Sequence, residues 1–246
     1  MYKKEIRINN EKIPLHVALI MDGNGRWAIK RGLDRSLGHK QGAQRIKEIL
    51  LLAKDIGIKV VTVFAFSTEN WKRSRREIDY IFELLEKLLD DNLSEFNKKN
   101  IRIQTIGSLE KIAKEYPSLH KKILSALEIT RDNSDIIFNI AINYGSHDEI
   151  ITAIKNLYLD ISKKRVNIGN INEEIFEEYL MTKGLPKIDL MNRTSGEKRL
   201  SNFLLWQLAY SELIFTPVYW PDFDEYEFKK CIYEYQLRDR RYGRVK

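Results

Sequence analysis

Short apolar runs alternate with longer amphipathic stretches along nearly the whole chain, and this alternation constrains the fold more than any other feature of the sequence. Runs typical of buried strands lie at 16–21, 59–66, 101–106, 136–142, 188–192 and 213–219. Apolar residues recur at helical spacing over 39–56, 77–97, 119–130, 148–161, 175–181 and 223–235. Strands joined by helices predict the α/β class, with a mainly parallel six-stranded sheet flanked by helices.

The chain shows no sign of a division into domains. Its 246 residues contain no internal repeat and no linker rich in proline or glycine. We therefore expect a single domain over 1–246, with an N-terminal extension at 1–14 and a basic tail at 237–246. The helix at 77–97 has an apolar surface broader than one stripe. Such a surface suits either ordinary core or the wall of a hydrophobic tunnel enclosed by the domain, and both stay open here.

Composition limits the partners and the compartment. The chain carries 42 Lys and Arg against 35 Asp and Glu, a net charge of +7 that favours a phosphorylated metabolite, an acidic membrane surface or nucleic acid. Cys231 is the single cysteine, which excludes an intrachain disulfide and a zinc cluster of thiolates. No apolar run approaches the ~20 residues that span a bilayer, and the N-terminus lacks the apolar core of a secretory signal. We expect a cytoplasmic protein with a peripheral contact to the inner membrane surface.

The first strand stops abruptly at a carboxylate, two glycines and a guanidinium. Asp22 suits a hard cation, Gly23 and Gly25 let backbone N–H groups approach a ligand, and Arg26 offers a planar fork of donors for phosphate oxygens. This combination predicts a phosphorylated substrate with magnesium. The alternative is a tight strand-to-helix turn with a surface arginine. Neither the dinucleotide glycine pattern nor the Walker pattern is present, which disfavours nucleotide binding.

Two further polar loops follow predicted strands, at 67–73 and 193–201. The carboxyl ends of parallel strands share one edge of a sheet, so we expect both loops to converge with Asp22. The hydroxyls of the first loop are explained at least as well by helix capping. In the second loop, two guanidiniums and a hydroxyl suit a diphosphate, although a solvated basic loop is the usual outcome. We expect Ser201 to open a helix whose far side carries Glu212, as a buried carboxylate or a metal ligand.

Several long motifs, in order, resemble the cis-prenyltransferase family over nearly the whole chain. The motifs are His16–Trp27, Arg35 with Gly38-His39, Phe66–Trp71, Asn139–Gly145, Arg193–Trp206 and Trp220–Phe223. The resemblance implies a magnesium-dependent homodimer that condenses isopentenyl diphosphate units onto farnesyl diphosphate with cis double bonds. The expected product is a long-chain polyprenyl diphosphate, undecaprenyl diphosphate, the lipid carrier for cell-wall glycans.

The resemblance also assigns roles to residues, motif by motif. Asp22 and Asn70 would be catalytic. The allylic diphosphate would be bound by Gly23, Asn24, Gly25, Arg26, Arg35 and His39, with Trp27 beside that substrate. The reacting ends would be positioned by Ser67, Thr68, Glu69, Trp71 and Arg73. The isopentenyl diphosphate would be clamped by Arg193, Arg199, Leu200 and Ser201. The metal ligands would be Asp22 and Glu212, the latter reaching across the dimer.

Two points depart from a simple transfer of these roles. Some members of the family place a histidine, a possible metal ligand, where this chain has Lys198, and lysine is a poor ligand for magnesium. An amide is a weak base, so we expect the departing diphosphate, ordered by Asn70, to receive the proton.

Three alternatives remain. One is a cis-prenyltransferase of different product length, since Ala65 and Phe138 could shape the tunnel that holds the growing chain. Another is a non-catalytic partner subunit of the same fold, which the retained Asp22, Arg26 and Asn70 disfavour. The third, nucleic-acid binding through the positive charge, has no recognition motif to support it.

Overall fold

All six predicted strands pair in one parallel sheet. The structure is a computed structural model that describes residues 6–239. The strands are β1 (His16–Ile20), β2 (Val60–Ser67), β3 (Ile101–Ile106), β4 (Ile136–Tyr144), β5 (Leu190–Arg193) and β6 (Glu212–Phe215). Their order in the sheet is β3-β4-β2-β1-β5-β6, and every neighbouring pair is parallel. The predicted α/β class and parallel sheet are confirmed.

Helices connect all consecutive strands except β5 and β6, largely where apolar periodicity predicts them. They are α1 (Asn24–Lys30), α2 (Arg35–Ile56), α3 (Arg75–Lys98), α4 (Glu110–Glu115), α5 (Pro117–Ile129), α6 (Ser146–Ser162), α7 (Glu173–Glu177) and α8 (Glu225–Leu237). The short α1 agrees with the strand-to-helix turn given as the alternative after the first strand, α4 was not predicted, and α7 ends earlier than the predicted 175–181. No helix within residues 6–239 combines the length and apolarity needed to cross a bilayer.

Local signals fix the ends of the two longest helices. The Asp34 side chain accepts a hydrogen bond from Ser36 N at 2.9 Å and caps α2, and the Ser74 hydroxyl accepts one from Glu77 N at 3.3 Å and caps α3. Gly57 adopts φ 102° at the end of α2, a left-handed conformation that glycine takes without steric cost, so the predicted helix end is confirmed.

Alternate residues of β1 face two apolar layers. Val17 and Leu19 belong to the larger cluster, which packs the sheet against α2, α3, α5 and α8. Ala18 and Ile20 face a smaller cluster that includes Phe203 and residues of the loop before β6. Burial on both faces explains why this strand is a continuous apolar run.

The helix expected to begin at Ser201 does not form. Residues 201–210 are turns, and Ser201, Asn202 and Leu204 have φ values of 52°, 63° and 48°. A positive φ cannot continue a right-handed helix. Long-range hydrogen bonds take the place of helical ones: Ser146 N donates to Asn202 O at 2.8 Å, and Leu205 N donates to the Ser146 hydroxyl at 3.0 Å. Glu212 accordingly begins β6 and does not lie on a helix.

Candidate functional site

An ion pair joins the loops that follow β1 and β5. Arg193 Nη2 donates to Asp22 Oδ2 at 2.8 Å, and Arg26 Nη2 donates to Asp22 Oδ1 at 3.0 Å. The sheet imposes this proximity, because Ile20 pairs in register with Arg193 and Asp22 follows two residues later. The Arg193 side chain is 5% exposed and that of Asp22 27%. The predicted convergence of these two loops is confirmed.

Arg193 also holds its own loop in place. Its Nη1 donates to the Ser201 hydroxyl at 2.8 Å and to the Arg199 carbonyl at 2.5 Å. Its Nε is buried without a hydrogen-bond partner among the described residues. A buried N–H donor without an acceptor is costly, and an oxygen atom of a bound ligand could satisfy it.

Arg26 extends the network through residues that the sequence analysis did not single out. Its Nη2 donates to the Ser195 hydroxyl at 2.6 Å, and its Nη1 donates to Glu197 Oε1 at 2.9 Å. Arg199 Nη1 donates to the other oxygen of Glu197 at 2.5 Å. Ser195 and Glu197 lie between the two predicted arginines in the chain, and that position was the signal that could have identified them.

The cations around Asp22 keep it ionised. Burial alone would raise the pKa of Asp22, but hydrogen bonds and charge from Arg193 and then Arg26 hold it below its usual value. Hydrogen bonds from Arg199 and Arg26 likewise lower the pKa of Glu197. The site therefore presents a permanent carboxylate among guanidinium groups at neutral pH.

Two glycines permit the close packing of this corner. Gly23 adopts φ 102°, and a Cβ there would lie 2.6 Å from Cδ1 of Tyr219. A Cβ on Gly25 would lie 2.9 Å from the guanidinium carbon of Arg35. The predicted close approach is thus made by protein side chains, and the bare Gly25 lets Arg35 lie against α1.

Residues of the loop after β2 cap a short helical turn and also line the candidate site. A 3₁₀ turn spans Thr68–Lys72, and Ser67 and Asn70 form a reciprocal capping box in which Ser67 N donates to Asn70 Oδ1 at 3.1 Å. The capping alternative is therefore right for these residues. Ser67, Asn70 and Arg73 nevertheless also line the cavity that contains Asp22.

Glu69 and Trp71 hold this loop against its neighbours. Asn202 Nδ2 donates to Glu69 Oε1 at 2.9 Å, which connects the loop after β2 to the loop after β5. Trp71 Nε1 donates to Asn143 Oδ1 at 2.8 Å, and its ring packs edge-on to Phe66 with centroids 5.1 Å apart. Neither residue lines the cavity, and each instead holds the loop after β2 in position.

Two arginines and a histidine surround Glu77 at the start of α3. Glu77 Oε1 accepts from Arg73 at 3.0 Å and from Arg35 at 3.4 Å, and His39 Nε2 lies 3.7 Å away. Burial, followed by repulsion from Arg73, lowers the pKa of His39 to about 4 despite the opposing charge of Glu77. His39 is therefore neutral at neutral pH.

These groups surround the mouth of a cavity of about 390 Å³ between α2, α3 and β2. Its polar end contains the predicted residues Asp22, Asn24, His39, Ser67, Asn70, Arg73, Arg193, Arg199 and Ser201. Its other end is apolar and is formed by Ile46, Phe64, Ala65, Phe66, Ile81, Phe82, Leu84, Leu85 and Leu88. The apolar face of α3 thus serves as core and as cavity wall. Phe138 is buried in the core and is not part of the lining.

Other predicted residues lie outside the lining, namely Gly23, Gly25, Arg26, Trp27, Arg35, Thr68, Glu69, Trp71, Leu200 and Glu212. Trp27 is held on the outer side of α1, because its Nε1 donates to Asp222 Oδ1 at 2.7 Å and Arg31 stacks 4.3 Å from its ring centroid. Leu200 packs against the smaller apolar cluster.

Glu212 lies far from Asp22 within one chain. It begins β6 and is in register with Leu190, three residues before Arg193. Its Oε2 accepts from Arg238 Nη1 at 2.7 Å. Among residues 6–239, no group of three or more His, Cys, Asp or Glu side chains is arranged to hold a metal ion.

Known proteins are similar to this chain in sequence and in fold. The prenyltransferase family model described for undecaprenyl diphosphate synthases matches residues 20–243. An isoprenyl transferase of Clostridium perfringens is 45% identical over 243 residues, which cover 99% of this chain and 95% of that protein. An isoprenyl transferase of Prochlorococcus marinus is 47% identical over 239 residues, covering 97% and 87%.

Two solved structures have a similar fold. Lavandulyl diphosphate synthase from Lavandula x intermedia, in complex with dimethylallyl diphosphate, superposes with a TM-score of 0.90 at 33% identity, covering 95% of this chain and 100% of that chain. A probable undecaprenyl diphosphate synthase from Campylobacter jejuni gives 0.76 at 36% identity, covering 94% and 99%. Because the family match and these similarities extend over nearly the full length, the chain belongs to the undecaprenyl diphosphate synthase family of isoprenyl transferases.

Proposed function

We propose that this chain condenses isopentenyl diphosphate units onto farnesyl diphosphate to make a long-chain polyprenyl diphosphate, undecaprenyl diphosphate. One observation carries the proposal: the Asp22, Arg193 and Arg26 network stands at the polar mouth of a cavity whose far end is apolar. A diphosphate with a hydrocarbon chain has the same two-part chemistry.

The two diphosphates are assigned to opposite sides of Asp22. Arg193 and Arg199 suit the isopentenyl diphosphate, because both are guanidinium groups in the lining and no described residue accepts from Nε of Arg193. Asn24 and His39 lie on the α1–α2 side of the same cavity and suit the allylic diphosphate. A neutral His39 donates one hydrogen bond to such an anion without adding to the positive charge around it.

Asp22 fits a magnesium ion bound together with substrate. Magnesium in phosphate sites is usually held by one or two carboxylates plus substrate oxygens, and Asp22 supplies one ionised, partly exposed carboxylate at the mouth. When bound there, the ion would neutralise charge on the diphosphates and favour departure of the allylic one. A contribution from Glu212 would require a second copy of the chain.

The chain's own residues then account for the remaining steps. Guanidinium groups stabilise the negative charge that grows on the departing diphosphate while the allylic carbon becomes cation-like. The apolar wall formed by α3 excludes water from that carbon. Asn70, fixed by its hydrogen bond from Ser67 N, orients the diphosphate that takes the proton released after carbon–carbon bond formation.

We also propose a homodimer in the cytoplasm. Four side chains of α6 are about half exposed or more, namely Ile151 at 52%, Ile154 at 49%, Tyr158 at 67% and Leu159 at 49%. They recur at helical spacing and form one apolar stripe, the kind of surface that a second copy would cover. The mass of the purified protein, measured by light scattering, tests this assignment.

The decisive experiment incubates purified protein with farnesyl diphosphate, labelled isopentenyl diphosphate and magnesium, and sizes the products. The expected result is a long polyprenyl chain, and Arg193→Ala is expected to lower turnover about a hundredfold or more. Arg131→Ala, an arginine that is 61% exposed, is the matched control and should retain full turnover. A chain that forms no product would instead be the non-catalytic subunit, and a shorter product would establish a different length class.

A further inference from the structure

The corner between α1 and α2 exposes three large apolar side chains within nine residues. Ile29 is 58% exposed, Leu33 39% and Leu37 43%. We call these three residues the corner patch. The backbone beneath them is well ordered by hydrogen bonds, since Gly32 N donates to Ile29 O at 3.0 Å and Leu33 N donates to Ala28 O at 3.0 Å. The patch is therefore a fixed part of the fold.

Three exposed cations accompany the corner patch. Lys30 is exposed beside Ile29 and forms no ion pair with any described residue, and the same holds for Lys40, one turn after Leu37. Arg76, exposed on α3, acts electrostatically on Asp34, the acidic residue within the corner, whose carboxylate caps α2. Exposed apolar side chains with exposed cations nearby match an anionic lipid surface in both hydrophobicity and charge.

The patch lies at the mouth of the cavity. Arg35, between Leu33 and Leu37 in the chain, contacts Glu77 at 3.4 Å. The same Glu77 oxygen binds Arg73, which lines the cavity. The corner therefore adjoins the polar mouth of the cavity.

We propose that the corner patch docks the enzyme onto an anionic lipid bilayer, with the cavity mouth turned toward the lipid. This inference rests on the proposed function, because a polyprenyl product becomes harder to transfer through water with every methylene that it gains. A mouth held at the bilayer lets the apolar chain pass from cavity to lipid without crossing bulk water.

Vesicle binding tests the proposal. The protein is sedimented with vesicles of phosphatidylcholine alone or mixed with phosphatidylglycerol, at low and high salt. The variant Ile29→Ser/Leu33→Ser/Leu37→Ser removes the apolar contact, and Lys30→Glu/Arg76→Glu reverses the charge without touching the patch. The control, Leu124→Ser/Ile129→Ser, removes two side chains on α5 that are 48% exposed each.

The expected result is binding of the wild type to the anionic vesicles, weakened by high salt. Each of the two corner variants should bind about tenfold more weakly, with an unchanged melting temperature, and the control should bind like the wild type. Condensation of soluble substrates in detergent is measured in parallel. That assay alone decides the proposed function, and sedimentation alone decides docking.

Several outcomes would overturn the proposal. They are a wild type that ignores anionic vesicles, corner variants that bind as tightly as the wild type, and a control that weakens binding equally. Binding lost by a chain ending at Asp239, but kept by both corner variants, would assign the contact to the basic tail instead.

Discussion

His16 gives a prediction about stability that can be worked through from its contacts. The residue is 1% exposed at the start of β1. Its Nδ1 lies 2.8 Å from the Pro186 carbonyl, which only accepts, so Nδ1 carries the proton. Its Nε2, 2.7 Å from the Thr62 hydroxyl, is then the acceptor, and Asn139 Nδ2 donates to the same hydroxyl at 3.0 Å. A second proton on His16 would face the Thr62 donor.

The energetic consequence follows from the pKa. Burial lowers the pKa of His16 to about 4 from a usual 6.5, although the Pro186 carbonyl and Asp189 oppose the change. The unfolded chain binds a proton below pH 6.5 and the folded chain does not, so stability is complete above pH 6.5 and declines as the pH falls toward 4. The full loss is about 3 kcal/mol, of which about 2 kcal/mol falls between pH 7 and pH 5.

Urea unfolding at several pH values between 5 and 7.5 measures this loss. We expect the wild type to lose stability on acidification and His16→Gln, although less stable at pH 7, to lose about 2 kcal/mol less over the same range. His147→Gln, at an exposed position on α6, controls for removal of a histidine. The assignment to His16 is wrong if the free energy of unfolding of His16→Gln falls with pH as steeply as that of the wild type.

Three further predictions concern the site. Asp22→Asn should lower kcat about a thousandfold, because the ion pair with Arg193 and the proposed magnesium ligand are lost together; a steady-state assay measures it. Asn70→Asp should lose most activity, because a carboxylate repels the diphosphate that takes the proton, and pH–rate profiles measure the effect. Gly38→Ala should lower the free energy of unfolding by about 1–3 kcal/mol and impair turnover, since its Cβ would lie 2.0 Å from the Asn24 carbonyl oxygen; denaturant titration measures it.

Each of these three has a result that contradicts it. A kcat of Asp22→Asn within tenfold of the wild type would remove this carboxylate from the chemistry. Full activity of Asn70→Asp with a new pH dependence would show that residue 70 accepts the proton. An unchanged stability of Gly38→Ala would mean that α1 and α2 separate without cost.

The strands and their shared edge could be predicted because their signals are local. A buried parallel strand is a short apolar run, and the six runs left little ambiguity. Convergence of the loops after β1, β2 and β5 follows from parallel topology alone. The apolar face of α3 was also visible, but sequence could not show that its Phe82 and Leu85 leave a cavity between α2 and β2.

The features that were not predicted depend mainly on contacts between distant parts of the chain. Ser201 and Asn202 resemble the start of a helix by composition, yet Arg193 and the beginning of α6 hold them at positive φ. The short α1 begins at Asn24 after Gly23, which offers no side-chain cap, so its extent could not be read from the sequence although a strand-to-helix turn was one alternative there. The pairing of Glu212 with Arg238 spans 26 residues and has no signature in the sequence.

Glu77 has a consequence for how substrate enters. By engaging Arg35 and Arg73 in the free protein, it holds two long, rotamer-rich side chains in one arrangement before any ligand arrives. If the proposed diphosphate binds these arginines, it would replace Glu77 as their anionic partner, and part of their conformational entropy would already have been lost. A ligand at this mouth would have to displace the Glu77 carboxylate from the two arginines. A diphosphate carries more negative charge than Glu77 and could do so, whereas weakly charged molecules could not.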